Sequence, residues 1–208
     1  MTLSTWFTFM LAAWAISISP GAGAVCAMSC GLKYGFRKAF WNTLGLIMGI
    51  MLQILVVSLG LGALLATSEL AFSLVKWLGV AYLIYLGIRQ IRGPTGPIAD
   101  DPVSPHDASA RTLFTRGFLI NASNPKGTVF LLAVVPQFLN PGAPMAGQYG
   151  VIAATLAFTD LVVMSLYALL AARVLTLLRS PRHIIWMNRT FGSMFVLAGV
   201  ALASFKRT

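Results

Sequence analysis

Apolar residues run almost unbroken through long stretches of the chain, and short clusters of basic residues, prolines and glycines separate them. No charged side chain occurs between Met1 and Leu32, or between Ala39 and Ser68, and each run exceeds the roughly 20 residues a membrane-crossing helix needs. The pattern predicts an all-α polytopic membrane protein of six transmembrane helices. Their spans fall at about Leu3 to Met28, Phe40 to Thr67, Leu70 to Gln90, Leu113 to Phe138, Tyr149 to Leu178 and Ile184 to Ser204. No Lys or Arg precedes the first stretch and it outruns a short signal-peptide core, so Met1 is expected to belong to the mature chain.

Composition agrees: 58% of residues are hydrophobic, 10% are charged and mean hydropathy is +0.82, far from the balance of a water-soluble domain. The net charge of +10 would suggest nucleic acid in a soluble protein. Here the cations lie at the ends of apolar runs, where they encode topology, so no nucleic-acid partner is expected. Lys33, Arg37, Lys38, Arg89, Arg92, Arg111, Arg116, Arg173, Arg179, Arg182 and Arg189 flank one side, against Lys76, Lys206 and Arg207 on the other. The positive-inside bias then places both termini outside, in the periplasm of a bacterial inner membrane. Residues 93–112, rich in proline and acidic groups, become a cytoplasmic linker between a first three-helix unit, 1–92, and a second, 113–208.

An offset of 105 residues superposes Phe9 on Phe114, Pro20 on Pro125, Gly45 on Gly150 and Gly87 on Gly192. Three helices is an odd number, so the second unit enters the membrane from the opposite side. That makes an inverted 3+3 repeat, the plan of many secondary transporters.

Ser19, Pro20 and Gly21 in the first helix, and Asn121, Asn124, Pro125 and Lys126 in the fourth, fall mid-span. Proline removes a backbone donor and crowds the preceding turn, so helices 1 and 4 are expected to be broken there. Backbone groups bared within lipid persist only where protein covers them or a wet cavity takes them, so paired breaks point to a central polar site. Lys126 and Asp160 are ionisable residues deep inside the spans, each about 16–18 Å from the end of its helix at about 1.5 Å per residue. Similar depth permits an ion pair, which could merely fasten helix four to helix five. The functional alternative gives Asp160 a proton or a substrate ammonium, and gives Lys126 a carboxylate. Gly31, Gly35, Gly45 and Gly49 are spaced for close helix packing. Gln53, Tyr82, Tyr85 and Tyr167 are candidate cavity liners. No P-loop, His-Glu-x-x-His or Gly-x-Ser-x-Gly pattern occurs, which excludes an ATP pump within this chain and leaves no sign of an enzyme, metal or cofactor. Two other classes remain open: a thiol electron carrier using Cys26 and Cys30, and a lipid-handling membrane protein.

Ser19-Pro20-Gly21 with the following glycines resembles the first-half signature of the lysine exporter (LysE/RhtB) family. Gly117-Phe118-Leu119-Ile120-Asn121, Asn124-Pro125-Lys126, Phe130 and Pro136-Gln137-Phe138 are similar to its fourth-helix pattern, and Asn188-Arg189 before Phe191-Gly192 also fits. The resemblance implies export of amino acids or related small metabolites by proton antiport and alternating access, with protons and membrane lipids as partners and a homodimer as a compatible assembly. The binding residues it suggests are Ser19, Pro20, Gly21, Asn121, Asn124, Pro125 and Lys126, with Asp160 as the proton-coupling group. Ala22 and Gly23 stand where the family usually has Pro-Asn, which leaves the amino-acid specificity open.

Overall fold

The computed structural model describes residues 1–67, 69–93, 109–140, 142–171 and 181–204, and the described residues form helices and no strands. Helix α1 (Leu3–Ile18) begins where the Thr2 side chain accepts from the Thr5 amide. It ends just before Pro20, which has no N–H to continue the ladder. Helix α2 (Ala22–Thr67) follows, then α3 (Glu69–Ile91), α4 (Ala110–Ala122) and α5 (Pro125–Val134). Pro125 occupies the first turn of α5, where a missing N–H costs nothing, and Asn124 caps that turn. A 3-10 turn (Val135–Phe138), α6 (Met145–Leu169) and α7 (Pro181–Ser204) complete the order.

Although α2 counts 46 residues, it is not one rod. Gly35 lies at φ 74°, ψ 166°, a backbone region essentially reserved for glycine. Asn42 Nδ2 donates to Cys26 Sγ at 3.3 Å, whereas 16 residues of straight helix would hold them about 24 Å apart. Gly23 likewise approaches the Leu46 side chain. The chain therefore folds back at Gly35 into two antiparallel arms, 22–34 and 36–67. The first helical segment after Pro20 runs on to residue 34 rather than stopping near Met28. Gly35 is thereby corrected from a packing glycine to the turn itself, and a Cβ there would meet nothing within 4 Å.

Among the described residues, two helices are by themselves long and apolar enough to cross a membrane, Ala22–Gly60 within α2 and Met145–Leu169. A third candidate joins α4 to Pro125–Phe138 across a 50° bend. The first of these is the folded-back α2, so its 39 residues form two antiparallel arms rather than one rod.

The packing is inverted relative to a soluble protein. Leu3, Leu11, Leu59, Leu78, Trp186 and Leu197 face outward, while Asn42, Gln53, Thr159 and Asp160 are buried. Close backbone approach requires glycine at a few points. An added Cβ at Gly45 would collide with the Phe114 carbonyl of α4, and one at Gly31 with the Ala168 backbone of α6. Between α3 and α7, a Cβ on Gly87 would lie 2.6 Å from Gly192 O, and one on Gly192 2.6 Å from Gly87 O. Helix α1 packs on α6, while α4 and α5 pack on α2. Each proline-broken segment is thus braced by a helix from the other half of the chain.

Candidate functional site

The two breaks meet at the centre of the fold. In the first, the Ile18 carbonyl would ordinarily accept an amide four residues on, but the chain has left the helix by Ser19. Tyr167 of α6 supplies the missing donor, its hydroxyl lying 2.6 Å from Ile18 O. The Ser19 carbonyl is served by the Lys126 Nζ at 2.8 Å, and the same ammonium reaches Ser19 Oγ at 2.8 Å. At the second break Asn124 Oδ1 accepts from the Lys126 amide at 3.1 Å. Gln53 Nε2 donates to Asn121 O at 2.8 Å and to Asn124 O at 2.9 Å. Asn121 Nδ2 donates back to Leu46 O at 2.7 Å. Donors from one half of the chain therefore cap carbonyls bared in the other, in both directions.

Between the breaks lies a cavity of about 50 Å³. Ser17, Ser19, Gly21 and Gly23 line it from the first break. Asn121, Asn124, Lys126 and Gly127 line it from the second, with Asp160 on α6 and Leu46 on α2 closing the sides. At about 10–15 Å³ per water, the space takes roughly three to five waters, or the polar head of a small solute.

Two formal charges of opposite sign face this space. Asp160, 6% exposed, accepts from Ser17 Oγ at 2.6 Å, a short contact of the kind a carboxylate makes with a hydroxyl. Lys126 makes its hydrogen bonds to Ser19 and sits 5.5 Å over the Phe195 ring, a cation–π contact. No ion pair joins Lys126 to Asp160, so the bridge that depth alone permitted is not formed. The physical reason is lateral: each charge is satisfied by a serine of the first break, and the cavity lies between them. Their mutual attraction acts across that space, where a polar solute could intercept it.

Of the residues singled out in the sequence, Ser19, Gly21, Asn121, Asn124, Lys126 and Asp160 line the cavity. Pro20 and Pro125 shape the breaks without lining it. Tyr82 and Tyr85 pair with each other, ring centroids 5.9 Å apart, and neither lines the cavity. Cys26 and Cys30 are buried and not joined in a disulfide, and Cys26 accepts from Asn42. Among the described residues no group of three or more His, Cys, Asp or Glu converges. Ser17 and Gly23 belong to the first-break cluster by sequence but were not among the binding residues expected, and Leu46 carried no signal, being brought in by the fold-back at Gly35.

A profile of the family described as LysE type translocator matches residues 14–205. Over 204 residues the chain is 40% identical to the homoserine/homoserine lactone efflux protein of Salmonella typhimurium, covering 98% of each chain. It is also 40% identical over 206 residues to an uncharacterized membrane protein of Vibrio cholerae, covering 99% of this chain and all of the other. To the leucine efflux protein of an Enterobacter strain it is 25% identical over 207 residues, with 97% and 96% covered. No solved structure matches.

Proposed function

The chain belongs to the LysE type translocator family, a family of transporters rather than enzymes, and from that premise we propose that it exports small amino acids of the homoserine class by proton antiport. The observation that carries the reading is the pair of opposite charges, Lys126 and Asp160, facing one central cavity without bonding to each other. An amino acid is a zwitterion of matching polarity. Its carboxylate is received by Lys126, which keeps one proton to donate beside its two Ser19 contacts, and its ammonium by Asp160. Homoserine adds a hydroxyl, for which the amides of Asn121 and Asn124 offer polar partners on the cavity wall. The 40% identity to a homoserine efflux protein over the full length supports that choice of substrate.

Coupling follows from charge balance. Asp160 takes a proton while the cavity opens outward, and gives it up when substrate ammonium arrives from the cytoplasm, so the buried site never holds an unbalanced carboxylate. The present cavity is too small for a whole amino acid, which makes this arrangement the closed state of an alternating-access cycle. In that cycle the breaks at Pro20 and Pro125 serve as the flexing points. The architecture proposed around the site is six passes in two inverted three-helix repeats, 1–92 and 113–208. The 93–112 linker lies in the cytoplasm of a bacterial inner membrane, and both termini lie outside. The reciprocal Gly87–Gly192 contact, whose partners are 105 residues apart, supports the symmetry.

Purified protein in liposomes is expected to move homoserine when a pH gradient is imposed. Asp160→Asn and Lys126→Gln at equal abundance are expected to lower that flux by about tenfold or more, equivalent to at least about 1.4 kcal/mol. Gradient-driven flux undiminished in Asp160→Asn would remove the carboxylate from the coupling mechanism. A wild type that moves no small amino acid would end the substrate assignment.

A further inference from the structure

Ser17 lies in the last turn of α1, just ahead of the break at Pro20, and is buried against two neighbouring residues of α6. Its Oγ is 2.6 Å from Asp160 Oδ1 and 3.1 Å from Thr159 Oγ1. A hydroxyl carries one proton, so Ser17 can donate fully to one of these oxygens and not to both. The shorter distance assigns that proton to Asp160 while the carboxylate is charged. Thr159 has no exposed surface, and its own proton is directed to Leu156 O at 3.2 Å, which leaves its lone pairs facing Ser17.

Buried polar groups need partners in every state they visit. Once Asp160 takes a proton, the direction of its bond to Ser17 reverses: the carboxyl O–H donates and Ser17 Oγ accepts. The Ser17 proton must then find another acceptor, and Thr159 Oγ1 is reached by rotation of the hydroxyl alone. No covalent bond at Ser17 forms or breaks, and the coupling proton comes from water on the open side and rests on Asp160. Each hydroxyl proton of the trio therefore has an acceptor in both states. Lys126 is the other charged side chain on the cavity wall, and its ammonium bonds to Ser19. From α2 and α4 that wall receives Leu46, Ile50 and Asn121, none of which titrates, and Tyr167 of α6 is committed to Ile18 O.

We propose that Ser17 is a positioning residue for the coupling proton, a hydroxyl that turns from Asp160 to Thr159 when the carboxyl fills and turns back when it empties. The proposal rests on the proton-antiport reading above and deepens it, by assigning what lets one buried carboxyl both hold a proton and release it. Thr159 is the acceptor that makes the filled state tolerable.

Infrared titration of the purified full-length protein in detergent reads the Asp160 carboxyl without substrate, once the spectrum of Asp160→Asn is subtracted. Ser17→Ala removes a bond that is stronger to the charged carboxylate than to the neutral acid, so the midpoint is expected to move up by about one pH unit. Thr159→Val leaves the charged state intact and strands the Ser17 proton in the neutral one, so its midpoint is expected to move down by about half a pH unit or more. Thr159→Ser keeps the oxygen and is expected to return the midpoint to that of the wild type. Ser17→Ala and Thr159→Val moving in one direction, neither moving, or Thr159→Ser displaced as far as Thr159→Val each overturns the proposal. An Asp160 carboxyl that does not titrate overturns it as well. Should Ser17→Ala fail to fold, the two Thr159 variants decide the matter between them. A wild type that exports no homoserine under an imposed pH gradient defeats the transport reading alone, whereas gradient-driven export with unmoved midpoints defeats the Ser17 assignment alone.

Discussion

Gly45 and Gly150 occupy matching places 105 residues apart, but their surroundings differ. An added Cβ at Gly45 would collide with the Phe114 carbonyl, whereas one at Gly150 would meet nothing within 4 Å. Gly45→Ala is therefore expected to cost about 1–3 kcal/mol, because the obstacle is backbone and cannot swing aside. Gly150→Ala is expected to be neutral or to stabilise by up to about 1 kcal/mol through helix propensity. Thermal unfolding in detergent distinguishes the two, and equal shifts would contradict the packing described. At this scale the charges were legible: Lys126 and Asp160 stood out because charge is costly in an apolar run. The absence of a bond between them was not legible, since depth along two helices says nothing about their rotation toward each other. Gln53 was legible only as a polar residue in a span. Its partners lie 68 to 75 residues further along, and no local pattern links them.

Proline marked both helix breaks in advance, because the lost N–H and the ring clash act locally and need no knowledge of neighbours. The fold-back at Gly35 was read differently. Gly31, Gly35, Gly45 and Gly49 share a spacing that suits helix packing, and three of them do meet backbone or side chains of α4 or α6. The fourth is the turn, and spacing alone could not separate the two uses. With φ 74° and ψ 166°, Gly35→Val is expected to cost about 1–3 kcal/mol and to lower the yield of folded protein. Gly60→Val, at an open position, serves as the control. Equal yields of the two variants would show that the turn tolerates a side chain. The turn of the second half is built with other means: Gln148 accepts from the Asn140 amide at 2.7 Å and donates to Asn140 O and Ala143 O. The two turns are thus closed by unrelated chemistry.

At the scale of the molecule, each broken segment is held by the opposite half, α1 by α6 and α4 by the second arm of α2. Asp160 and Tyr167 of α6 both bond to the first break, and Lys126, bonded to Ser19, ties that break to the second. Apolar run lengths made the helical membrane class legible, and the distribution of Lys and Arg suggests an orientation. Which helix braces which was beyond reach, because it depends on contacts between distant segments. The orientation proposed has a direct test. A C-terminal reporter that is active only outside the cytoplasm is expected to be active, and one inserted within 93–112 to be silent. The reverse result would invert the transporter and with it the assigned direction of proton flow.

Reciprocal bracing also sets an order of events during synthesis. Gln53 leaves the ribosome before Asn121, Asn124 and Thr128 have been made, and Asn42, with Cys26 already in place, before Leu113. The half-made protein must shelter those amides against the insertion machinery, headgroups or water until α4 arrives, since bare amides in hydrocarbon are costly. Biogenesis here is a wait for the second half, and the buried polar groups that equip the finished transporter are the ones that leave its nascent chain most exposed.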